Sequence, residues 1–286
     1  MPKKKVRTLI VIGGREDKVG DKLILSEVAR RIGRGRLVIA AVASKYPGPL
    51  FDEYDHVFRS LGLKHVAKLE IHNRCEANDE TKIRVLDDAA GVFFTGGDQL
   101  RITSQLGDTP VHRRIKDIYE SQGLIAGTSA GASVMCETMI VSSGNPHSHK
   151  VSDSIKLAPG FGLIGGMIID QHFSERSRMV RLLGSIAQNP KNLGLGIDEQ
   201  TAIIIEGDRT FYVLGSGAVY VIDGGGISFS NIAEEEINTT VSMYDVRLHV
   251  LSQGDKFDLP NRRPEKLSVR AAAELPEVKD IEYKHY

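Results

Sequence analysis

The chain has 286 residues, 41% of them hydrophobic and 26% charged, with 29 glycines and 10 prolines. That composition excludes a disordered, collagen-like or disulfide-scaffold protein, and the length suits one or two domains. Lysine plus arginine and aspartate plus glutamate both number 37, so the chain lacks the basic footprint of a nucleic-acid binder. Cys75 and Cys136 form no spaced set, which argues against a zinc site or a disulfide framework and fits a reducing compartment. No apolar run approaches the roughly 20 residues that cross a bilayer, so no membrane partner is expected. Lys3-Lys4-Lys5 followed by Val6 to Ile12 has the outline of a signal peptide. Arg7 interrupts its apolar stretch, however, and Arg15-Glu16-Asp17 follows Gly13-Gly14 with no small-residue cleavage site. The lysines read as a solvated terminus rather than a localisation signal, and the expected location is cytoplasmic.

In chain order, Thr8 to Ile12 runs into Gly13-Gly14, Leu37 to Val42 into Ala43-Ser44, Val92 to Phe94 into Thr95-Gly96-Gly97, and Leu124 to Ala126 into Gly127. Each run is continuously apolar rather than alternating, as expected for strands covered on both faces of a parallel sheet. Amphipathic helical stretches separate them at Asp21 to Ile32, Leu50 to Leu61 and Asn78 to Asp88. This alternation predicts an α/β fold with a doubly wound, mostly parallel sheet, whose ligand site lies at the carboxyl ends of the strands. After about residue 195 the pattern changes. Ala202 to Glu206, Thr210 to Leu214 and Ala218 to Ile222, separated by Gly207-Asp208 and Gly215-Ser216-Gly217, predict a C-terminal antiparallel β extension. Residues 260–286 are polar, with Pro260, Pro264 and Pro276, and are expected to form a surface tail outside a single domain spanning residues 1–259.

The sharpest chemical signal is Gly127-Thr128-Ser129-Ala130-Gly131, a G-x-S-x-G between a buried strand and a stretch, Ala132 to Glu137, that can be helical. A nucleophilic serine on a tight strand-to-helix turn needs small flanking residues, because a Cβ there meets backbone. The plain alternative is a Gly/Ser-rich turn in which Ser129 only caps a helix. A serine nucleophile also requires a base and an orienting acid. His172 ends the apolar run Met167 to Ile169 through Asp170-Gln171, and a packed interior histidine is its plain alternative. His147 and His149 form an H-x-H pair without neighbouring acidic or thiolate ligands, so a solvated loop is the expectation there rather than a metal site. Asp198 and Glu199 follow Gly194-Leu195-Gly196-Ile197, and strand alternation allows only one of them to face inward. The second glycine tip, Gly96-Gly97-Asp98-Gln99, is a candidate oxyanion-hole segment, partnered by the amide of Ala130. Neither the P-loop nor the dinucleotide-binding glycine pattern occurs.

Taken together, Gly96-Gly97-Asp98-Gln99, Gly127-Thr128-Ser129-Ala130-Gly131-Ala132, Asp170-Gln171-His172-Phe173 with Arg176, Arg178 and Arg181, and Gly196-Ile197-Asp198-Glu199 resemble the cyanophycinases. These are serine peptidases related to the aspartyl dipeptidases, with a fold of the class I glutamine amidotransferase-like type. The resemblance spans about residues 8–255. It implies a Ser129–His172–Glu199 triad and an oxyanion hole from Gly97, Asp98 and Ala130. It further implies substrate contacts from Gln99, Asp170, Gln171, Arg176, Arg178 and Arg181. The implied activity is exopeptidase cleavage of cyanophycin, or of another β-Asp-Arg-containing peptide, to β-Asp-Arg dipeptides by a cytoplasmic homodimer needing no cofactor or metal. Two alternatives remain open at this point. One is a related dipeptidase or isopeptidase acting on α-aspartyl or other acidic dipeptides. The other is a non-catalytic binding protein on the same fold.

Overall fold

The computed structural model describes residues 6–142, 155–234 and 240–265. His147, His149, the Lys3–Lys5 cluster and the chain after Glu265 lie outside the described residues.

The first half is a β-α succession: β1 (Thr8–Ile12), α1 (Leu23–Ile32), β2 (Arg36–Ala40), α2 (Pro47–Ser60), β3 (His65–Leu69), α3 (Glu80–Arg84), β4 (Ala89–Phe94), α4 (Gln99–Leu106), α5 (Pro110–Glu120) and β5 (Leu124–Thr128). The expected helix over Asn78 to Asp88 is present only as the short α3, preceded by a single 3₁₀ turn at Glu76–Asn78 and followed by turns over residues 85–88. Asp79 accepts from the Thr81 N–H at 2.8 Å and restarts the chain as a new helix. Helices α4 and α5, which hydrophobic periodicity did not single out, carry clear start signals. The Asp98 carboxylate accepts from the Leu100 N–H at 2.8 Å, and Pro110 follows the capping residue Thr109.

The second half contains α6 (Ala130–Ser133), a hairpin of β6 (Thr138–Ser142) and β7 (Lys156–Pro159), then β8 (Met167–Gln171), α7 (Met179–Gln188) and β9 (Leu193–Ile197). It continues through β10 (Thr201–Glu206), β11 (Thr210–Gly215), β12 (Val219–Asp223), a small pair β13 (Phe229–Ser230) and β14 (Met243–Tyr244), then β15 (Arg247–Leu251), β16 (Lys256–Asp258) and β17 (Arg263–Glu265).

These strands build two principal sheets. The large one has the order β17-β16-β11-β10-β1-β5-β4-β2-β3, parallel from β3 to β1 and antiparallel from β10 outward. The expected α/β fold with a mostly parallel central sheet and a C-terminal antiparallel extension is therefore present. The extension splits, however. Strands β10 and β11 widen the large sheet, whereas β12 joins a second, four-stranded sheet ordered β15-β12-β9-β8. Alternation along β1 explains the layering: Leu9 and Val11 face one core cluster, while Ile10 and Ile12 face another with α1 and α2. The first cluster also contains Leu195, Ile197, Val219 and Val221, so the small sheet packs on the large one through shared apolar side chains. Its far face is closed by α7, through Ile168, Leu182, Ile186 and Ile222.

Candidate active site

Three segments meet at the carboxyl end of β1. The first is the turn from β5 into α6. Ser129 sits there with φ 53° and ψ −112°, outside ordinary helical or extended backbone. Glycines on both sides are needed. A Cβ on Gly127 would lie 2.5 Å from the Gly131 carbonyl oxygen, and one on Gly131 would lie 2.5 Å from that of Phe94. The Ser129 N–H donates to Ile12 O at 3.0 Å, which anchors the turn and leaves Oγ partly exposed.

The second segment leaves β8. His172 has φ 47°, and its N–H donates to Gly13 O at 2.8 Å. The imidazole lies over Gly14, where a Cβ would come within 2.3 Å of Cε1. His172 Nε2 is 2.9 Å from Ser129 Oγ. The third segment leaves β9 and crosses from the small sheet to the large one. There Glu199 Oε1 lies 2.6 Å from His172 Nδ1. Burial pushes His172 below its ordinary pKa, the hydrogen bond to the Glu199 carboxylate opposes this, and the charges of Arg176 and Arg178 add to the lowering.

Asp198 and Glu199 lie past the end of β9, in the turn before β10, and Asp198 points the other way. Its carboxylate accepts from the Ser174 amide at 3.0 Å, from the Ser174 hydroxyl, and from the Ala218 amide at 3.1 Å. It ties β9 to the turn after His172 and has no free oxygen facing the serine. Glu175 accepts from the Glu199 N–H at 3.1 Å. Burial and the nearby Asp198 and Glu199 charges hold Glu175 above the usual carboxylate range.

The Gly96-Gly97 tip lies against the serine, since a Cβ on Gly96 would stand 3.4 Å from Ser129 Cβ. Gly97 has φ 142°, and a Cβ there would lie 2.4 Å from Ala43 O. Among the described residues, the amides of Gly97 and Ala130 donate to no protein acceptor. Asp98 does not belong with them. Its amide already donates to Ala43 O at 3.0 Å and its carboxylate caps α4, so neither group is open toward Ser129.

The expected substrate residues separate into buried and open groups. Asp170 has no exposed side-chain area. It accepts from Arg181 Nε at 2.6 Å and Nη2, and from Arg178 Nη1 at 3.2 Å. Asp170, expected among the substrate contacts, is here enclosed by the two guanidinium groups. Burial, with Arg181 and Arg176 nearby, lowers Arg178 to about 10 despite the Asp170 charge. Gln171 is likewise engaged, donating to Ser133 Oγ at 3.2 Å and accepting from Arg178. Gln99 is half-buried and donates to Ile140 O at 2.9 Å. Arg176 is exposed and makes no ion pair among the described residues.

Residues 10–213 match peptidase family S51. The chain belongs to that family. As a family S51 member it is a peptidase, and thus a hydrolase. It is 39% identical over 258 residues to the cyanophycinase of Trichormus variabilis, covering 89% of this chain and 86% of that one. The cyanophycinase of Synechococcus elongatus is 37% identical over 254 residues (88% and 79% covered), and that of Geminocystis herdmanii is 35% identical over 262 residues (90% and 95%). The resemblance drawn from the four motifs thus holds over nearly the whole chain. Among solved structures, a peptidase from an acI-B1 actinobacterium shares the fold, with a TM-score of 0.65, 20% identity, and 89% of this chain and 97% of that chain covered. A putative peptidase E from Listeria monocytogenes EGD-e does so with a TM-score of 0.51 and 16% identity, covering 74% of this chain and 100% of its own.

Two groups at this family S51 site escaped the sequence reading. Arg15 Nε lies 3.4 Å from Glu199 Oε1, and Glu16 is buried two residues beyond the Gly13-Gly14 tip. The signal was present: charged residues directly follow a glycine tip at the carboxyl end of a buried strand. Among the described residues, no group of three or more His, Cys, Asp or Glu side chains is placed to hold a metal ion, and no helix is long and apolar enough to cross a membrane.

Proposed function

We propose that this family S51 peptidase is a serine exopeptidase that hydrolyses cyanophycin, a poly-aspartate bearing arginine on each side chain, and releases β-Asp-Arg dipeptides. The names of its relatives support the substrate, and the observation that carries the mechanism is the Ser129 Oγ–His172 Nε2, His172 Nδ1–Glu199 Oε1 chain at 2.9 and 2.6 Å. Ser129 Oγ attacks the scissile carbonyl while His172 takes its proton. Glu199 accepts from Nδ1–H and stabilises the imidazolium. The Gly97 and Ala130 amides receive the developing oxyanion. His172 then protonates the leaving amine, and water activated by the same imidazole releases the acyl group. Keeping His172 neutral in the resting state suits a base that must accept a proton.

The polymer presents carboxylates, which guanidinium forks bind bidentately. Arg176 is the open contact. Arg178 and Arg181 offer their remaining N–H groups from a platform that Asp170 holds in place. The resemblance extends to a cytoplasmic homodimer, and a monomeric mass by light scattering would remove the dimer from this reading.

The test is turnover of purified protein on cyanophycin with mass analysis of the product, beside Ser129→Ala. Dipeptide release that Ser129→Ala lowers by about 10⁶ in kcat supports the reading. A tenth of the activity surviving in Ser129→Ala overturns the nucleophile, and cleavage of α-aspartyl dipeptides without cyanophycin overturns the substrate.

A further inference from the structure

All three triad segments are tied to one short stretch, Ile12 to Glu16. Ile12 O accepts from the Ser129 N–H at 3.0 Å, Gly13 O from the His172 N–H at 2.8 Å, and Gly14 O from the N–H of Gln200, next to Glu199, at 2.8 Å. Arg15 adds its 3.4 Å contact with Glu199. The turn therefore joins the serine, carried by the large sheet, to the base and acid, carried by the small one.

What holds the turn is Glu16. It is 4% exposed, and its carboxylate accepts from Thr128 Oγ1 at 2.6 Å and from the Tyr54 hydroxyl. Thr128 immediately precedes Ser129, and Tyr54 belongs to α2, with its ring packed on Phe93 at 4.8 Å between centroids. Burial and the Glu16 carboxylate push the Tyr54 phenol well above its ordinary pKa, so it stays a donor. A buried carboxylate is unfavourable unless it is hydrogen-bonded, and an apolar side chain would pack here at less expense. What the carboxylate adds is two directed hydrogen bonds, one of them to the residue before Ser129.

We propose that Glu16 is a positioning residue for the triad: clamped by Thr128 and Tyr54, it fixes the Ile12–Glu16 turn so that Ser129, His172 and Glu199 meet at reacting distance. This rests on the triad reading above. Glu16 touches neither substrate nor reacting atoms and acts through Thr128 and the turn.

The test is Glu16→Gln in the full chain. The amide keeps the shape, but its nitrogen cannot accept from a hydroxyl, so one of the two donors loses its partner. Displacing reacting groups by about 1 Å costs on the order of 10²-fold. The expected result is a fall in kcat of about 10- to 100-fold with KM nearly unchanged, and an equal fall in the rate at which a small neutral serine reagent labels Ser129. Thr128→Val should act in the same sense, and Thr128→Ser, which keeps the hydroxyl, should restore most of that loss. If Glu16→Gln does not fold, Thr128→Val and Tyr54→Phe carry the same test. Folded variants with wild-type kcat and labelling rate, or with a raised KM alone, overturn the proposal even if they melt earlier. Ser129→Ala, run alongside, separates the two claims. An active Ser129→Ala removes the triad reading itself, whereas an inactive one beside fully active Glu16 variants removes only the positioning role.

Discussion

The serine side of the site and the arginine side are built by different means. Around Ser129 the geometry is held by backbone: a positive φ, glycines whose missing Cβ atoms would meet carbonyl oxygens at 2.5 Å or less, and amides bonded to the end of β1. Around Arg178 and Arg181 it is held by side chains gathered on a carboxylate with no exposed area. The first arrangement is rigid because no rotamer can relax a backbone clash. The second keeps its charges only while Asp170 compensates them. One region should therefore fail on adding a methyl group, and the other on removing a charge.

Beyond the loss of the serine itself, the largest expected effect is at the acid. Glu199→Gln removes the acceptor that orients His172 and should lower kcat by about 10⁴. Asp198→Asn should leave kcat much closer to wild type while costing about 1–3 kcal/mol of stability, because its oxygens are engaged with Ser174 and Ala218. Steady-state kinetics beside thermal melts rank the two, and the reverse ranking would reassign the acid.

Adding a methyl group to the backbone-held side comes next. Gly14→Ala places a Cβ 2.3 Å from His172 Cε1 at φ 115°, so the imidazole must move. The expected cost is on the order of 10²-fold in kcat. A folded Gly14→Ala with unchanged kcat would show that the turn can yield.

On the arginine side, two substitutions should part company. Asp170→Asn leaves two nearly buried guanidinium groups under-compensated and should cost about 3–5 kcal/mol of stability, read as a lower melting temperature. Arg176→Ala, at an exposed position, should leave melting unchanged and weaken kcat/KM for the polymer by about tenfold or more, the value of a charged hydrogen bond. An early-melting Arg176→Ala, or a thermally unaffected Asp170→Asn, would exchange their roles.

The smallest effect is on pH dependence. The base must be neutral to act, and burial lowers the His172 pKa. The acid limb of kcat/KM should therefore fall below the ordinary histidine value of 6.5, with activity retained as pH drops through it. Arg176→Ala removes a positive charge that contributes to the lowering, so it should move that limb upward. A limb above 6.5 in the wild type would contradict the burial argument.

Much of this was legible locally. Strands β1, β2, β4 and β5 announce themselves as continuous apolar runs because both faces of the large sheet are covered. The expected helix at Asn78 to Asp88 is shortened to Glu80–Arg84, because the chain tightens into turns closed by the Leu86 N–H on Ile83 O and the Asp87 N–H on Arg84 O and reverses at Asp88 with φ 54°, which hydrophobic periodicity does not register. At Asp98 a sequence marks a turn without showing which amides the turn has already used. Its N–H is taken by Ala43, more than fifty positions earlier in the chain.

The sequence alone determined the parallel α/β core, the G-x-S-x-G turn and the family, since strand burial, glycine requirement and motif spacing are properties of contiguous residues. The tertiary structure decided the rest. It sends β12 to a second sheet and turns Asp198 away from His172 toward Ser174 and Ala218. It puts Asp170 beneath its arginines and Glu16 against Thr128. Each of these outcomes depends on which distant polar group fills a hydrogen-bond vacancy, and buried polar groups find their partners through packing rather than through neighbours in the chain.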